Sequence, residues 1–254
     1  MLTNKEYKIT RTKLTAKLTQ LEQLAEPSTT IYLPSSISLE NVEILRKQIP
    51  LLGDGTANIT KFIAGTETGT VIFWGKSQKL VIKPPFPIKE KLVTAGYDTE
   101  ILTGILDQPL KIGILLVRLG YYSIGIAQDE KLIEHKTGTG LVHGRQRQGG
   151  SSSNRFRQRR VEQTHHFLER VLLHARGMFE PQVKTLDYFV YGGARTTITE
   201  LLKHSMFFKQ FERKLLPPLL DIPNPHFDVM EKAVTEIWSS RVMEWENNTS
   251  PRDP

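Results

Sequence analysis

Leu14, Leu18, Leu21 and Ala25 recur at helical spacing among lysines and threonines, so residues 4–25 are predicted to form a one-sided helix. Thr29 to Leu33 (TTIYL) is β-branched and bounded by prolines, which marks a short strand. Ser38, followed by Val42, Leu45 and Ile49, predicts a second, capped helix. TGTVIFWG (68–75) and KLVIK (79–83), joined by Gly75-Lys76-Ser77-Gln78, read as a β-hairpin. The cluster Pro84-Pro85-Phe86-Pro87 then stops regular structure. It divides a small N-terminal α+β region, 1–90, from a larger domain, 91–247, with 248–254 as a polar tail.

The larger domain opens on a short helix around Thr99–Leu106. Three apolar runs follow, KIGILLVR (111–118), YYSIGIA (121–127) and KLIEHK (131–136), with links short enough for an antiparallel meander. Residues 143–154 form a loop. Phe156, Gln163/Thr164, Phe167, Leu168, Val171, Leu172 and Ala175 then trace one face of a helix, with Gly177 placed where a C-terminal cap belongs. LDYFVY (186–191) reads as a buried strand, Gly192-Gly193-Ala194-Arg195 as a tight turn, and TTITELLKH (196–204) as a helix. LLPPLLDI (215–222) is extended and broken by proline, and Asn224 is placed to cap a last helix. Val229, Met230, Ala233, Val234, Ile237 and Trp238 form that helix's apolar face, and Phe207, Phe208 and Phe211 are assigned to the core. This order predicts an α/β or α+β domain, a mixed sheet with flanking helices.

Charge changes the picture at one place. The net charge is +7 and the pI about 9.5. Six arginines, at 145, 147, 155, 157, 159 and 160, fall within His143–Arg160, which holds no acidic residue. A polyanion such as RNA is the expected partner. The absence of cysteine excludes disulfides, thiol nucleophiles and cysteine-based zinc sites. With neither a signal-type apolar run nor a membrane-length one, a cytoplasmic protein with no membrane partner is expected. His165 and His166 lie near Glu169, but a metal site there would need a further ligand of known placement, so no metal is expected. The Gly192-Gly193 turn lacks a nucleotide-binding pattern.

Between the arginine arms stands Gly149-Gly150-Ser151-Ser152-Ser153. Adjacent glycines let backbone N–H groups approach a ligand closely, and the helix that follows offers its unpaired N–H groups and positive dipole end to an anion. Three readings fit these residues: a charged surface loop, a nucleic-acid-binding element without chemistry, or a catalytic tip.

The stretch RQRQGGSSSNRFRQRRVEQ resembles the GGQ-type loop of the bacterial Vms-like release-factor family, relatives of the central domain of eukaryotic and archaeal peptide-chain release factors. Gly144-Arg145, Gly149-Gly150-Ser151-Ser152, Arg155-Phe156 and Arg159-Arg160 match that family's pattern in order and spacing. A weaker similarity spans about 98–245, while residues 1–90 carry it poorly. The resemblance implies a five-stranded mixed sheet with flanking helices. It also implies a loop that enters the large-subunit peptidyl-transferase centre and frees the nascent chain from tRNA, or cleaves near the tRNA 3′ end. Gly149, Gly150, Ser151, Ser152 and Ser153 would then be the catalytic tip. Arg145, Arg147, Arg155, Arg157, Arg159 and Arg160 would bind large-subunit RNA or peptidyl-tRNA; no DNA partner, cofactor or metal is implied. One departure stands out. With Arg155-Phe156 as anchor the family's glutamine falls on Ser153, and with the shorter eukaryotic pattern on Ser152, so a serine replaces it either way. A serine still supplies a backbone N–H for an oxyanion, but its side chain is too short to position water as the amide does. Weakened or altered hydrolysis, or a retained binding role, is the expectation.

Overall fold

A computed structural model describes residues 3–35, 61–63, 66–142 and 153–246. The helix expected over 38–49, residues 143–152 of the expected loop 143–154 and the polar tail lie outside the described residues, whereas Ser153 and Asn154, expected in that loop, open the following helix. The chain divides into two compact units, Met1–Gln108 with Glu236–Pro254, and Pro109–Thr235. The division thus falls after the short helix and not at the proline cluster. Tyr32 shows why: its hydroxyl donates to the Asp98 carbonyl (2.7 Å) and accepts from Leu102 N–H (3.4 Å), holding that helix to the first sheet.

The first unit is a six-stranded antiparallel sheet in the order β1-β10-β4-β3-β2-β5. Its strands are β1 (Thr3–Ile9), β2 (Ser28–Leu33), β3 (Thr70–Gly75), β4 (Lys79–Lys83), β5 (Leu92–Ala95) and β10 (Ser240–Glu246). The predicted hairpin is β3–β4, paired from Val71↔Ile82 to Trp74↔Lys79. The helix expected over 4–25 is instead β1 followed by α1 (Arg11–Glu22). Residues 3–9 pair along their whole length with β10, and that non-local ladder decides the conformation of the polar TNKEYKI. Trp74 and Trp245 meet edge to face at 5.4 Å within this unit's core. Helix α2 (Glu100–Asp107) follows β5.

The second unit carries β6 (Lys111–Arg118), β7 (Tyr121–Gln128), β8 (Lys131–Thr139) and β9 (Tyr188–Gly193) in the order β8-β7-β6-β9. The meander is antiparallel and β9 joins β6 in parallel, so the sheet is mixed. The fifth strand is present only as an interrupted ladder. Phe189 bridges Leu215 and Gly192 bridges Leu220, both in parallel, and Pro217 and Pro218 between them have no N–H to continue the pairing. Helices α3 (Ser153–Phe179), α4 (Arg195–Lys203) and α5 (Phe227–Ile237) flank the strands in sequence.

Aromatic rings fill the core between α3, β9 and a 3-10 segment, Met206–Lys214. Phe211 stacks on Phe189 at 4.4 Å, and Phe179 meets Phe189 edge-on at 4.9 Å. Two helix boundaries and the exposure of one residue differ from those expected. Helix α3 runs through Gly177 to Phe179, because Met178 and Phe179 are both buried and extend the packed face. Phe156, placed on that face by spacing, is 42% exposed, since the helix has no core beneath it there. Helix α5 begins at Phe227, with the His226 carbonyl accepting from Met230 N–H at 3.1 Å; Pro225 intervenes between Asn224 and the first turn.

Candidate nucleic-acid interface

Helix α3 is 27 residues long, about 40 Å at 1.5 Å per residue. Its two halves have different surroundings. Phe167, Leu168, Val171, Ala175, Met178 and Phe179 are buried against the second sheet, whereas no residue of 154–166 is buried. The exposed part is about 20 Å of helix. Arg155, Arg157 and Arg159 are exposed on it, with Phe156 between the first two, and Arg160 is half-exposed. One guanidinium nitrogen of Arg160, Nη1, is enclosed and has no hydrogen-bond partner among the described residues. Ser153 is the first residue of the helix. Arg145, Arg147, Gly149, Gly150, Ser151 and Ser152 lie outside the described residues, so their placement beside this arginine ladder remains an expectation from sequence.

In an isolated helix Arg155 would sit unfavourably in the first turn, and the pairs one turn apart, Arg155 with Arg159 and Arg157 with Arg160, would repel. Cations disfavour a helix N-terminus, where the dipole is already positive, and α3 has no acidic residue in its first turn. The first carboxylate is Glu162, beside Gln158 (3.4 Å). Packing of the lower half must therefore hold the helix together, or an anion must offset the charge.

That lower half is fixed to the meander by contacts that the spacing of apolar residues did not reveal. The Tyr122 hydroxyl on β7 and His174 Nδ1 on α3 share a hydrogen bond of 2.5 Å. Burial holds the His174 imidazole below its usual pKa, with Lys136 and Arg170 adding to the effect. Burial likewise raises the Tyr122 phenol. Arg170 Nη1 donates to the Thr139 carbonyl at 3.2 Å. Two glycines at the end of β8 make room for the rings involved. A Cβ at Gly140 would stand 2.6 Å from Phe167, and one at Gly138 would overlap the Tyr122 ring. The TGTG run just before the loop was the available signal, as was His174 three residues after Val171 on the core-facing side.

The Gly192-Gly193 segment is a tight turn. Its N–H groups are already used, Gly193 by Leu220 O (2.9 Å) and Ala194 by Val117 O (3.2 Å), so they are not offered to a phosphate. His135 packs on Phe227 at 4.7 Å. Among the described residues, no helix is long and apolar enough to cross a membrane.

Comparison with known proteins places this helix in context. Residues 110–243 match the family described as Actinobacteria/chloroflexi VLRF1 release factor. Peptide chain release factor subunit 1 of Methanopyrus kandleri is 25% identical over 200 residues, 77% of this chain and 47% of that protein. The Thermococcus sibiricus protein of the same name is 26% identical over 165 residues, 59% of this chain and 39% of its own length. The chain thus spans less than half the length of these relatives. Among solved structures, an archaeal translation termination factor, aRF1, aligns with a TM-score of 0.42 and 18% identity over 90% of this chain and 70% of its own. The Vms1 mitochondrial localization core aligns with a TM-score of 0.43 and 13% identity over 82% of this chain and 95% of its own. The match over 110–243 covers both the arginine helix and the sheet that anchors it, and the chain belongs to the Actinobacteria/chloroflexi VLRF1 release factor family.

Proposed function

We propose that this protein is a cytoplasmic, ribosome-associated factor that acts on peptidyl-tRNA and frees nascent chains from stalled large subunits. The observation that carries the reading is the exposed half of α3, where Arg155, Arg157, Arg159 and Phe156 stand clear of the core with no acidic residue before Glu162. Arginines grip phosphates without reading sequence, and an aromatic ring among them offers a stacking surface for an unpaired base. RNA phosphates would also offset the unfavourable charge at the helix N-terminus. In this reading α3 is a stalk, its base tied to the meander by Tyr122, His174 and Arg170. Gly149, Gly150 and Ser151–Ser153 form the tip it carries into the peptidyl-transferase centre, with Arg145 and Arg147 on the opposite arm. The backbone N–H at Ser153 or Ser152 would stabilise the oxyanion as water attacks the ester.

The missing glutamine favours a second reading, in which the protein binds ribosomal RNA and performs no chemistry. Release of labelled peptide from peptidyl-tRNA on isolated 50S particles separates the two. The hydrolase reading expects release by the parent and its loss in Gly150→Ala. No release by the parent, with activity appearing only in Ser153→Gln, supports the binding reading. A shortened tRNA on the gel would instead mark a nuclease.

A further inference from the structure

Where α3 leaves the core, the last exposed residues before Phe167 are His165 and His166. Glu169 lies one turn further on, between them on the helix surface, and its Oε2 is 3.5 Å from His165 Nδ1 and 3.4 Å from His166 Nδ1. These three residues offer ligand atoms all within 4.8 Å of one another. A second element brings another imidazole: His204, directly after α4, has its ring 5.2 Å from that of His165 at 84°. Its Nε2 faces Glu200 Oε1 at 3.2 Å.

We infer that His165, His166 and Glu169 of α3, with His204 beside α4, form a binding site for a divalent cation of the zinc class. Imidazole nitrogens and a carboxylate oxygen are the donor set such ions take. Bonds of about 2.0–2.1 Å in a tetrahedron put neighbouring ligand atoms about 3.3 Å apart, and Glu169 already holds nearly that spacing to both histidines. His204 reaches the fourth position by turning from Glu200 toward the rings on α3. All the side chains are at least partly exposed, so the ion enters without opening the core. The cation would brace α3 to α4 at the point where the helix loses its packing, about 18 Å from its first residue. The site does not depend on the proposed activity.

Isothermal titration of the full-length, tag-free chain with zinc chloride at pH 7.5 in a non-chelating buffer tests it. One zinc per chain is expected. Loss of a residue that merely orients a ligand costs about 10–100-fold in affinity, so His165→Ala, Glu169→Gln and His204→Ala are each expected to weaken binding about tenfold or more. These changes remove no core contact, and circular dichroism verifies that each variant is folded. Absence of one-to-one zinc binding by the parent overturns the site. So does an unchanged affinity in the double variant His165→Ala/Glu169→Gln.

Discussion

The Tyr122 hydroxyl and His174 Nδ1 lie 2.5 Å apart and join the middle strand of the meander to the long helix. Tyr122→Phe removes the hydroxyl and leaves the imidazole nitrogen without this partner. A loss of about 1 kcal/mol in unfolding free energy is expected, read from urea denaturation at neutral pH.

The same pair makes stability fall in acid. His174 is held below its ordinary pKa, by burial first and then by Lys136 and Arg170. The unfolded chain, with an ordinary histidine pKa of about 6.5, therefore binds the proton more readily than the folded one, and stability rises with pH. The contribution is present above about pH 6.5 and is lost as pH drops through the depressed folded value. His174→Gln should flatten the urea midpoint between about pH 7 and 5 relative to the parent.

Gly140→Ala places a methyl group 2.6 Å from Phe167. Overpacking of this kind costs about 1–3 kcal/mol. Trimming the ring relieves it, so the double variant Gly140→Ala/Phe167→Leu should lose less stability than the two single changes added together. Additivity in thermal melts would show that Gly140 is not a packing position.

Changing Arg155, Arg157, Arg159 and Arg160 to alanine should have opposite effects on binding and on folding. Binding to ribosomes should weaken, and the slope of log affinity against log salt should become shallower by up to about 0.9 for each lost phosphate contact on a duplex, or about 0.7 on a single strand. Thermal stability should stay level or rise, since Arg155 leaves the first turn and the like-charged pairs one turn apart, Arg155 with Arg159 and Arg157 with Arg160, are removed. Filter binding at several salt concentrations, with calorimetry of the free protein, measures both.

Phe211 stacks on Phe189 and touches Phe179 and Phe207 as well. Phe211→Ala is expected to cost about 3–5 kcal/mol in denaturant unfolding. Leu202, on the partly exposed side of α4, gives the contrasting case: Leu202→Ala should change stability by well under 1 kcal/mol.

Local signals in the sequence identified most of the second unit. The meander could be read because β6, β7 and β8 are joined by two short turns, and α3 because Phe167, Leu168, Val171 and Ala175 mark one buried face. What escaped depended on partners far along the chain. TNKEYKI has no apolar alternation, and it becomes a strand because Ser240–Glu246 pairs with it. The Tyr7 hydroxyl and Lys17 Nζ both bond the Glu244 carboxylate at 2.6 Å, a contact no local window contains. The arginine ladder was legible as charge. The anchor beneath it was not, because Tyr122, Gly138, Gly140 and His174 come from three elements and acquire a role only once these are packed together.

Strand β10 lies between β1 and β4, so until residues 240–246 exist β1 has no partner in the first sheet and β4 keeps an open edge. The second unit, by contrast, is one uninterrupted segment, Pro109–Thr235. During synthesis the later part of the chain can therefore finish folding while the earlier part waits with two unpaired strand edges, which are adhesive surfaces. That order would reverse the usual N-terminal-first course of co-translational folding, because the first sheet closes only after residues 240–246 have been made.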